Sequence, residues 1–191
     1  MVMQDTRADN DLMIDVQRGN IRSFQILAER WQHRIFGHCL QLLNNRGLAE
    51  EATQEILLRV YRGANGFRHE AQFSTWLFRI TINCCNTIRH QNRYHSNETS
   101  FEDAPVLETQ VASHSNALDH LERDERASEL HSALMELKPD LKEVLLLRDL
   151  QELSYHQISG VLNLPIGTVK SRINRARIAL AQTMLAMRGA G

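Results

Sequence analysis

Basic side chains without any acidic neighbour occupy the last part of the chain, and they have the chemistry to bind a polyanion. From residue 165 to residue 191 there are five lysine and arginine residues and no aspartate or glutamate. They are Lys170, Arg172, Arg175, Arg177 and Arg188. Cations clustered in this way neutralise phosphates in nucleic-acid-binding proteins. Charge alone is equally compatible with a solvated helix face, so the elements that carry these residues decide between the two interpretations.

Two short helices are predicted to position these cations. Ser154 and Gln157 have the spacing of a capping box, in which each side chain satisfies the other's free backbone N–H, and a helix follows through Leu162. Pro165 breaks this helix, and a second one is expected from about Thr168. A short helix, a tight turn and a helix with a basic outer face form a helix-turn-helix, whose second helix enters the major groove of DNA.

The predicted second helix separates an apolar face from a polar one. Its inner face carries Val169, Ile173, Ala176 and Leu180, and its outer face carries Lys170, Ser171, Asn174, Arg175 and Arg177. Lysine and arginine contact phosphates there, while Ser171, Arg172 and Asn174 are candidates for contacts with base edges. The alternative is an amphipathic hairpin whose basic face is only hydrated. Capping, turn, apolar spacing and the lack of acidic residues agree with each other, and together they favour DNA binding.

An aromatic and basic segment lies within the first half of the chain. Residues 67–80 contain Phe67, Phe73, Trp76 and Phe78 together with Arg68 and Arg79. Aromatic rings stack on unpaired bases while arginines follow the backbone, so this composition suits single-stranded nucleic acid. One helical stripe, with Phe73, Leu77 and Ile80, is predicted to be core, whereas Trp76 and Arg79 lie on another. The segment alone is equally compatible with core packing.

A helix with an acidic first turn precedes this segment. Residues 50–61 read EEATQEILLRVY, and the helix dipole favours carboxylates near the start of a helix. Glu51 and Glu55 are like charges one turn apart, which is slightly unfavourable for a helix that has only to fold. A basic protein partner would offset this repulsion. A solvated acidic face is an equally valid interpretation of the same residues.

Apolar residues recur at spacings of three and four almost throughout the chain, and no stretch alternates with period two, so the fold is predicted to be all-α. Helix starts are indicated by Asn20, and by Gly47 just ahead of the acidic helix. Residues 96–130 hold two basic and nine acidic side chains, and the first part of this stretch lacks sustained periodicity. We predict two small helical domains, 9–95 and 117–187, joined by a flexible acidic linker, 96–116.

Membrane insertion and secretion are not indicated by the sequence. No run of about eighteen apolar residues is present. The first residues lack the basic start and apolar stretch of a secretory signal, so we expect a cytoplasmic protein. The three cysteines, Cys39, Cys84 and Cys85, are expected to be buried free thiols.

Motifs for enzymatic or metal chemistry are missing from the sequence. Nine histidines occur without HExxH or paired Cys/His spacing, so we expect scattered surface or half-buried histidines and no metal site. Neither a glycine-rich phosphate loop nor a GxSxG motif is present. We therefore predict no cofactor and no enzymatic activity.

Four segments of the chain, taken together, resemble the extracytoplasmic-function (ECF) class of bacterial RNA polymerase sigma factors. They are Phe24 to Trp31, the acidic residues 50–55, Phe67-Arg68 with residues 73–83, and residues 153–155 with residues 165–172. The resemblance covers about 9–94 and 130–183, which is nearly everything apart from the linker. Each motif alone is weak or moderate, but four of them in the family's order form a specific signal.

The resemblance implies roles for the candidate residues. The clamp helices of the polymerase β′ subunit would bind the acidic helix through Glu51, Gln54 and Glu55. The −10 promoter element would be recognised and melted, with one base turned out of the stack, by Phe67, Trp76, Arg79 and Asn83. The −35 element would be read by Thr168, Lys170, Ser171, Arg172 and Arg175. The implied partners are promoter DNA, core RNA polymerase, whose β flap would contact the C-terminal domain, and an anti-sigma factor, often membrane-bound in this family. No small-molecule substrate is implied.

Two other functions remain open from the residues alone. An autonomous dimeric helix-turn-helix regulator would bind a palindromic duplex tightly without polymerase. A helical adaptor that binds only protein would show no promoter-dependent activity and no salt-sensitive affinity for DNA. A sigma factor differs from both, because it binds duplex poorly alone and transcribes specifically once core polymerase is added.

Overall fold

The computed structural model describes residues 5–68, 70–96 and 117–189. Within these residues the chain forms eight α-helices and no strand, which confirms the predicted all-α fold. The helices are α1 (Asp9–Gln17), α2 (Ile21–Leu43), α3 (Arg46–Arg62), α4 (Phe73–Ser96), α5 (Ala117–Met135), α6 (Pro139–Leu145), α7 (Tyr155–Leu162) and α8 (Ile166–Gly189). A 3-10 turn (Ala64–Gly66) follows α3, and a π-helical turn (Leu146–Leu150) follows α6. The predicted linker, 96–116, lies outside the described residues apart from Ser96.

The first four helices form one bundle around an apolar core. Asn20 is the N-cap of α2, as predicted, because its side-chain oxygen accepts the backbone N–H groups of Arg22 and Ser23 at 3.1 and 3.3 Å. The buried side of α2 carries Leu27, Trp31, Ile35, Cys39 and Leu42. The acidic helix α3 begins at Arg46 with Asn45 as its N-cap, so Gly47 lies inside the first turn rather than ahead of the helix.

The last four helices form a second bundle that contains the helix-turn-helix. The predicted capping box is confirmed: the Ser154 backbone N–H donates to Gln157 Oε1 at 2.8 Å, and the Gln157 N–H donates to Ser154 Oγ at 3.2 Å. Asn163 ends α7 in the left-handed conformation, with a φ of 53°. α8 begins at Ile166, two residues before the predicted start, and its buried residues are Val169, Ile173 and Ala176.

The two bundles are in direct contact with each other. The N-terminal half of α4 packs against α7, and α2 contacts α5 and α6. Buried apolar residues of both bundles form one continuous cluster. The prediction of two helical domains did not include this contact, because local spacing carries no information about surfaces that meet across a long sequence separation.

The described residues also bear on membrane spanning, metal binding and the state of the cysteines. Among the helices that the structure describes, none combines the length and apolar character needed to cross a membrane. The described residues also contain no group of three or more histidine, cysteine, aspartate or glutamate side chains placed to hold a metal ion. All three cysteines are free and buried, as predicted.

Candidate nucleic-acid interface

The outer face of α8 presents polar and basic side chains to solvent. The exposed residues are Lys170, Ser171, Asn174 and Arg175, and Thr168 is half-buried in the first turn. The opposite face is buried through Val169, Ile173 and Ala176. This opposition fixes the rotation of the helix about its own axis, so the polar face points outward.

Ion pairs join three of the C-terminal basic side chains to acidic residues of the same bundle. The pairs are Arg172–Asp140 at 3.7 Å, Arg177–Asp149 at 2.5 Å and Arg188–Glu129 at 3.3 Å. Hydrogen bonding to Asp149 raises the pKa of Arg177, so this guanidinium stays charged. Within the part of the chain that the structure describes, Lys170 and Arg175 have no ion pair, and their charges are the ones most accessible to a phosphate.

A second polar stripe runs along α4. Trp76, Arg79 and Asn83 recur at spacings of three and four, which places them on one side of the helix. Arg79 and Asn83 are exposed, and Trp76 is half-buried. The opposite side of α4 is buried through Leu77, Phe78, Thr81 and Cys85. Three of the four residues predicted for the −10 element therefore share one surface.

Phe67, the fourth residue predicted for the −10 element, lies in the core. Its side chain is 3% exposed, and its ring centroid is 5.3 Å from that of Trp76 and 6.2 Å from that of Phe73. A ring enclosed in this way cannot stack on a base, and it instead packs against the indole of Trp76. The burial of Phe67 therefore disagrees with its predicted role as a direct DNA contact.

Side chains of α1 hold the loop that leads into α4. Asn10 caps α4 from outside the helix, because its Oδ1 accepts the Phe73 N–H at 2.9 Å while its Nδ2 donates to a loop carbonyl at 3.2 Å. Gln17 Nε2 donates to the carbonyl oxygens of Ala64 and Phe67 at 2.9 and 3.0 Å. These bonds tie the loop to α1, and the Asn10 bond supplies a partner for a backbone N–H at the start of α4.

The end of α3 leaves room for the Trp76 indole. A Cβ atom added at Gly63 would lie 2.8 Å from the Arg59 carbonyl oxygen and 3.5 Å from Cζ2 of Trp76. The first distance is shorter than Cβ atoms tolerate, so another residue at this position would force the backbone to shift. A Cβ at Gly66, three residues later, would meet nothing within 4 Å.

The acidic face of α3 borders a groove of about 300 Å³ between α3 and α4. Glu51 and Gln54 are exposed, while Glu55 is half-buried and pairs with Arg59 at 2.7 Å. Hydrogen bonding to Glu55 raises the pKa of Arg59. The repulsion expected between Glu51 and Glu55 is therefore offset within the helix, and a basic partner is not needed for that purpose.

One buried polar side chain lies between α2 and α4. His38 is fully buried, its ring centroid is 5.3 Å from that of Phe78, and neither ring nitrogen has a hydrogen-bond partner among the described residues. Burial lowers the pKa of His38 to about 3, so the imidazole is neutral at physiological pH. This residue corrects the expectation that the histidines are surface or half-buried.

Known protein families match both bundles. The sigma-70 region 2 family matches residues 27–94, and the sigma-70 region 4 family matches residues 127–180. The RNA polymerase sigma-H factor of Pseudomonas aeruginosa is 34% identical over 185 residues, which cover 92% of this chain and 93% of that protein. The ECF RNA polymerase sigma-E factor of Haemophilus influenzae is 34% identical over 181 residues, which cover 92% of this chain and 94% of that protein. The chain belongs to the ECF sigma factors.

Solved structures share the fold of this sigma factor. CnrH, in complex with the cytosolic domain of CnrY, superposes with a TM-score of 0.70 at 23% identity, over 94% of this chain and 99% of CnrH. RpoE of Bartonella quintana, in complex with the anti-sigma factor NepR, superposes with a TM-score of 0.69 at 21% identity, over 85% of this chain and 97% of RpoE. Membership of the family means that this sigma factor directs promoter-specific initiation of transcription.

The polar contacts between the two bundles of the sigma factor were not predicted from the sequence, which assigned Arg79 and Gln157 to other roles. They link Arg79 with Gly160, Gln72 with Gln157, Arg34 with Gln151, and Arg89 with Glu143. These residue types are common on any solvated helix face, and no local pattern distinguishes them. Only the tertiary structure identifies them as contacts.

Proposed function

We propose that this sigma factor binds its promoter at two places, through α8 at the −35 element and through α4 at the −10 element. The −35 contacts are assigned to Thr168, Lys170, Ser171, Arg172 and Arg175. The −10 contacts are assigned to Trp76, Arg79 and Asn83, with Phe67 in support. The protein contributes no covalent chemistry of its own and acts in the cytoplasm.

The outward polar face of α8, opposite a fully buried apolar face, is the observation that carries this proposal. The major groove of B-DNA, about 12 Å wide, admits one α-helix, and base edges there are distinguishable by their donors and acceptors. Ser171 and Asn174 offer short polar side chains on this face, and Lys170 and Arg175 offer cations beside them. Helix α7 supports the reading helix from behind, in the order that a helix-turn-helix requires.

The indole of Trp76 supports the assignment of α4 to an unpaired base. Its ring packs against those of Phe67 and Phe73, with centroid distances of 5.3 and 6.1 Å, so its position is already restricted before DNA binds. Stacking of a base on such a ring contributes about 1–3 kcal/mol, which is comparable to the cost of unstacking that base. Arg79 and Asn83 on the same side of the helix add a cation and an amide for the strand and the base.

Docking on a larger enzyme and control by an inhibitor complete the proposal. Core RNA polymerase is proposed to contact Glu51, Gln54 and Glu55 through its β′ clamp helices, and the C-terminal bundle through its β flap. Support comes from the exposure of Glu51 and Gln54 beside the α3–α4 groove. The similar fold of Bartonella quintana RpoE, which was solved with an anti-sigma factor, supports an anti-sigma factor as a further partner.

Run-off transcription with purified core RNA polymerase on genomic fragments tests this function. We expect specific transcripts only when the sigma factor is added, and weak binding to duplex DNA in the absence of polymerase. Tight binding to a palindromic duplex without polymerase would instead favour the dimeric regulator. Transcript patterns that do not change when the sigma factor is added would contradict the proposal.

Matched variants distinguish the contributions of the two proposed DNA-binding surfaces. Asn83→Ala is expected to impair promoter opening, measured by permanganate reactivity of unpaired thymines, while binding to core polymerase is unchanged. Arg175→Ala is expected to weaken dependence on the upstream element and to reduce the salt dependence of promoter binding by about one phosphate contact. The controls are Gln32→Ala and Arg22→Ala, which remove an exposed amide and an exposed cation from α2. Control variants as defective as their partners would contradict the residue assignments.

A further inference from the structure

The side chain of Asn10 bonds the backbone on both sides of Gln72, the residue that immediately precedes α4. Its Nδ2 donates to the Ala71 carbonyl oxygen at 3.2 Å, and its Oδ1 accepts the Phe73 N–H at 2.9 Å. A side-chain amide is suited to this task because it donates and accepts from one planar group. Asn10 lies in the first turn of α1, so the two bonds join helices that are far apart in the sequence.

The backbone of Gln72 begins the hydrogen bonding of α4. Its carbonyl oxygen accepts the N–H groups of Thr75 and Trp76 at 3.0 and 3.3 Å. The direction of the first turn of α4 therefore depends on where the Gln72 backbone lies. Trp76 carries the ring assigned to an unpaired base, and its backbone is connected to Asn10 through this short series of hydrogen bonds.

Asp9, the preceding residue of α1, acts on the same place through aromatic rings. Its Oδ2 accepts the indole N–H of Trp31 at 3.0 Å. The Trp31 ring centroid lies 5.8 Å from that of Phe73, and the Phe73 centroid lies 6.1 Å from that of Trp76. Phe73 is thus contacted at its backbone by Asn10 and at its ring by an indole that Asp9 orients.

Helix α1 precedes the residues that match the region 2 family, which begin at residue 27. Near its other end, Gln17 Nε2 donates to the carbonyl oxygens of Ala64 and Phe67 at 2.9 and 3.0 Å. Side chains of α1 therefore bond both ends of the connection between α3 and α4. The helix itself is anchored in the bundle by three buried apolar residues, Leu12, Met13 and Val16.

We propose that Asn10 is a positioning residue for promoter opening, because its bonds on both sides of Gln72 place the start of α4, and with it Trp76, for an unpaired base. This inference rests on the proposed −10 role of α4. A group that acts on a reacting partner loses effect steeply when its position shifts by about 1 Å. Asn10 itself contacts neither DNA nor polymerase in this proposal, so its effect falls on the opening step and not on the binding steps before it.

The opening step is measured with polymerase holoenzyme and a mapped promoter that carries 2-aminopurine in its −10 element. The fluorescence of this base rises when it leaves the stack. Asn10→Ala is expected to lower the maximal opening rate about tenfold, which corresponds to the loss of one or two net hydrogen bonds. The holoenzyme concentration that gives half the maximal rate, and the affinity for core polymerase, should not change. Asp11→Ala, at an exposed position of the same helical turn, is the control and should open DNA at the wild-type rate.

Asn10→Asp distinguishes a positioning role from a contribution to stability alone. Its carboxylate still accepts the Phe73 N–H at the start of α4, but it repels the Ala71 carbonyl oxygen to which the amide donates. This variant should melt at a higher temperature than Asn10→Ala, and yet its maximal opening rate should stay several-fold below that of the wild type.

Opening at the wild-type rate by either Asn10 variant would overturn the inference. A loss of affinity for core polymerase as large as the loss in opening rate would also overturn it, because such a loss indicates damage to the whole bundle. A wild-type chain that opens no promoter with core polymerase would instead contradict the proposed −10 role of α4, so the two failures are distinguishable.

Discussion

Arg172 lies at the edge of the α8 face assigned to the −35 element, and its side chain has two alternative roles. Its side chain is 27% exposed, and its Nε is 3.7 Å from the Asp140 carboxylate of α6. A guanidinium in this position is able either to swing onto DNA or to hold α6 against α8. An exposed pair of this kind contributes only about 0–1 kcal/mol to stability, so a contact with DNA would contribute more free energy than the ion pair.

Arg172→Ala and Asp140→Ala distinguish these roles. If Arg172 contacts DNA, its removal should cost about 1–3 kcal/mol of promoter binding, whereas removal of Asp140 frees the arginine and leaves binding intact or stronger. Binding of the polymerase holoenzyme to promoter DNA, measured by filter retention, reports both effects. Similar losses for the two variants would show that Arg172 acts through the ion pair alone.

His38 is a second residue whose environment predicts a measurable effect. A buried imidazole without a hydrogen-bond partner carries a desolvation cost of about 1–3 kcal/mol, and an apolar side chain of similar size does not. His38→Leu should therefore increase the free energy of unfolding, measured by urea denaturation near pH 7. His33→Leu, an exposed position on the same helix, is the control and should give no increase.

The pH dependence of stability provides an independent signature of His38. Its pKa is about 3 in the folded protein, against the ordinary histidine value of 6.5, so below pH 6.5 the unfolded chain binds a proton that the folded protein does not. Stability from this group is present above pH 6.5 and is lost as the pH falls, by about 1.4 kcal/mol per pH unit. The variant His38→Leu should lose this contribution, and an unchanged pH profile would contradict the assignment.

At the scale of elements, the start of α4 depends on a short loop that α1 and α3 hold in place. Gly63 follows α3 and has no room for a Cβ atom, because such an atom would lie 2.8 Å from the Arg59 carbonyl oxygen. Gly66 in the same loop has open space around it. The two glycines are one turn apart and look equivalent in the sequence.

The changes in stability caused by Gly63→Ala and Gly66→Ala are therefore expected to differ in sign. The first should lower stability by about 1–3 kcal/mol, because the added Cβ would lie 2.8 Å from the Arg59 carbonyl oxygen and the backbone must move. The second should be neutral or should raise stability by up to about 1 kcal/mol, since alanine restricts the unfolded chain. Melting temperatures followed by circular dichroism at 222 nm test the difference, and equal shifts would show that the loop relaxes freely.

Local rules predicted the elements better than the contacts between them. The caps at Asn20 and Ser154 were correct, because the side chain and its backbone partner are only two or three residues apart. Leu150 is a large apolar residue that is nevertheless 50% exposed, at the end of the π-helical turn. An extra residue in a helical turn changes the direction of the side chains that follow, and spacing rules assume a constant pitch.

The residues of the candidate site were likewise predictable only where local spacing decides their position. The apolar periodicity of α8 correctly separates Val169 and Ile173 from the outward residues. Phe67 was misjudged because an aromatic residue suits a base and a core equally well, and only the rings of Phe73 and Trp76 decide between them. The link between Arg79 and Gly160 joins residues of two bundles, and no pairwise pattern in one sequence identifies it.

At the scale of the whole molecule, the two bundles share a continuous apolar cluster as well as polar links. Contacts of this kind make the unfolding of one bundle depend on the other. The ion pair between Arg89 and Glu143 is largely buried, so loss of one partner leaves the other charge without compensation. The stability of each bundle therefore includes a contribution from their contact.

Calorimetry of the free protein tests this coupling. The wild type is expected to unfold in one transition, with a calorimetric enthalpy equal to the van't Hoff enthalpy. Glu143→Ala should separate the transition into two, because the coupling free energy falls by about 1–3 kcal/mol. Two well-separated transitions in the wild type would show that the bundles unfold independently.

The hydrogen bonds from Asn10 and Gln17 bear on how this protein is divided for laboratory use. A fragment cut at the boundary of the region 2 match would begin at residue 27 and would leave out both amides. The loop before α4 would then lose its hydrogen bonds to α1. Nuclear magnetic resonance or oligonucleotide screening with such a truncation would report on a loosened start of α4, whereas a fragment that begins at residue 5 would preserve these bonds.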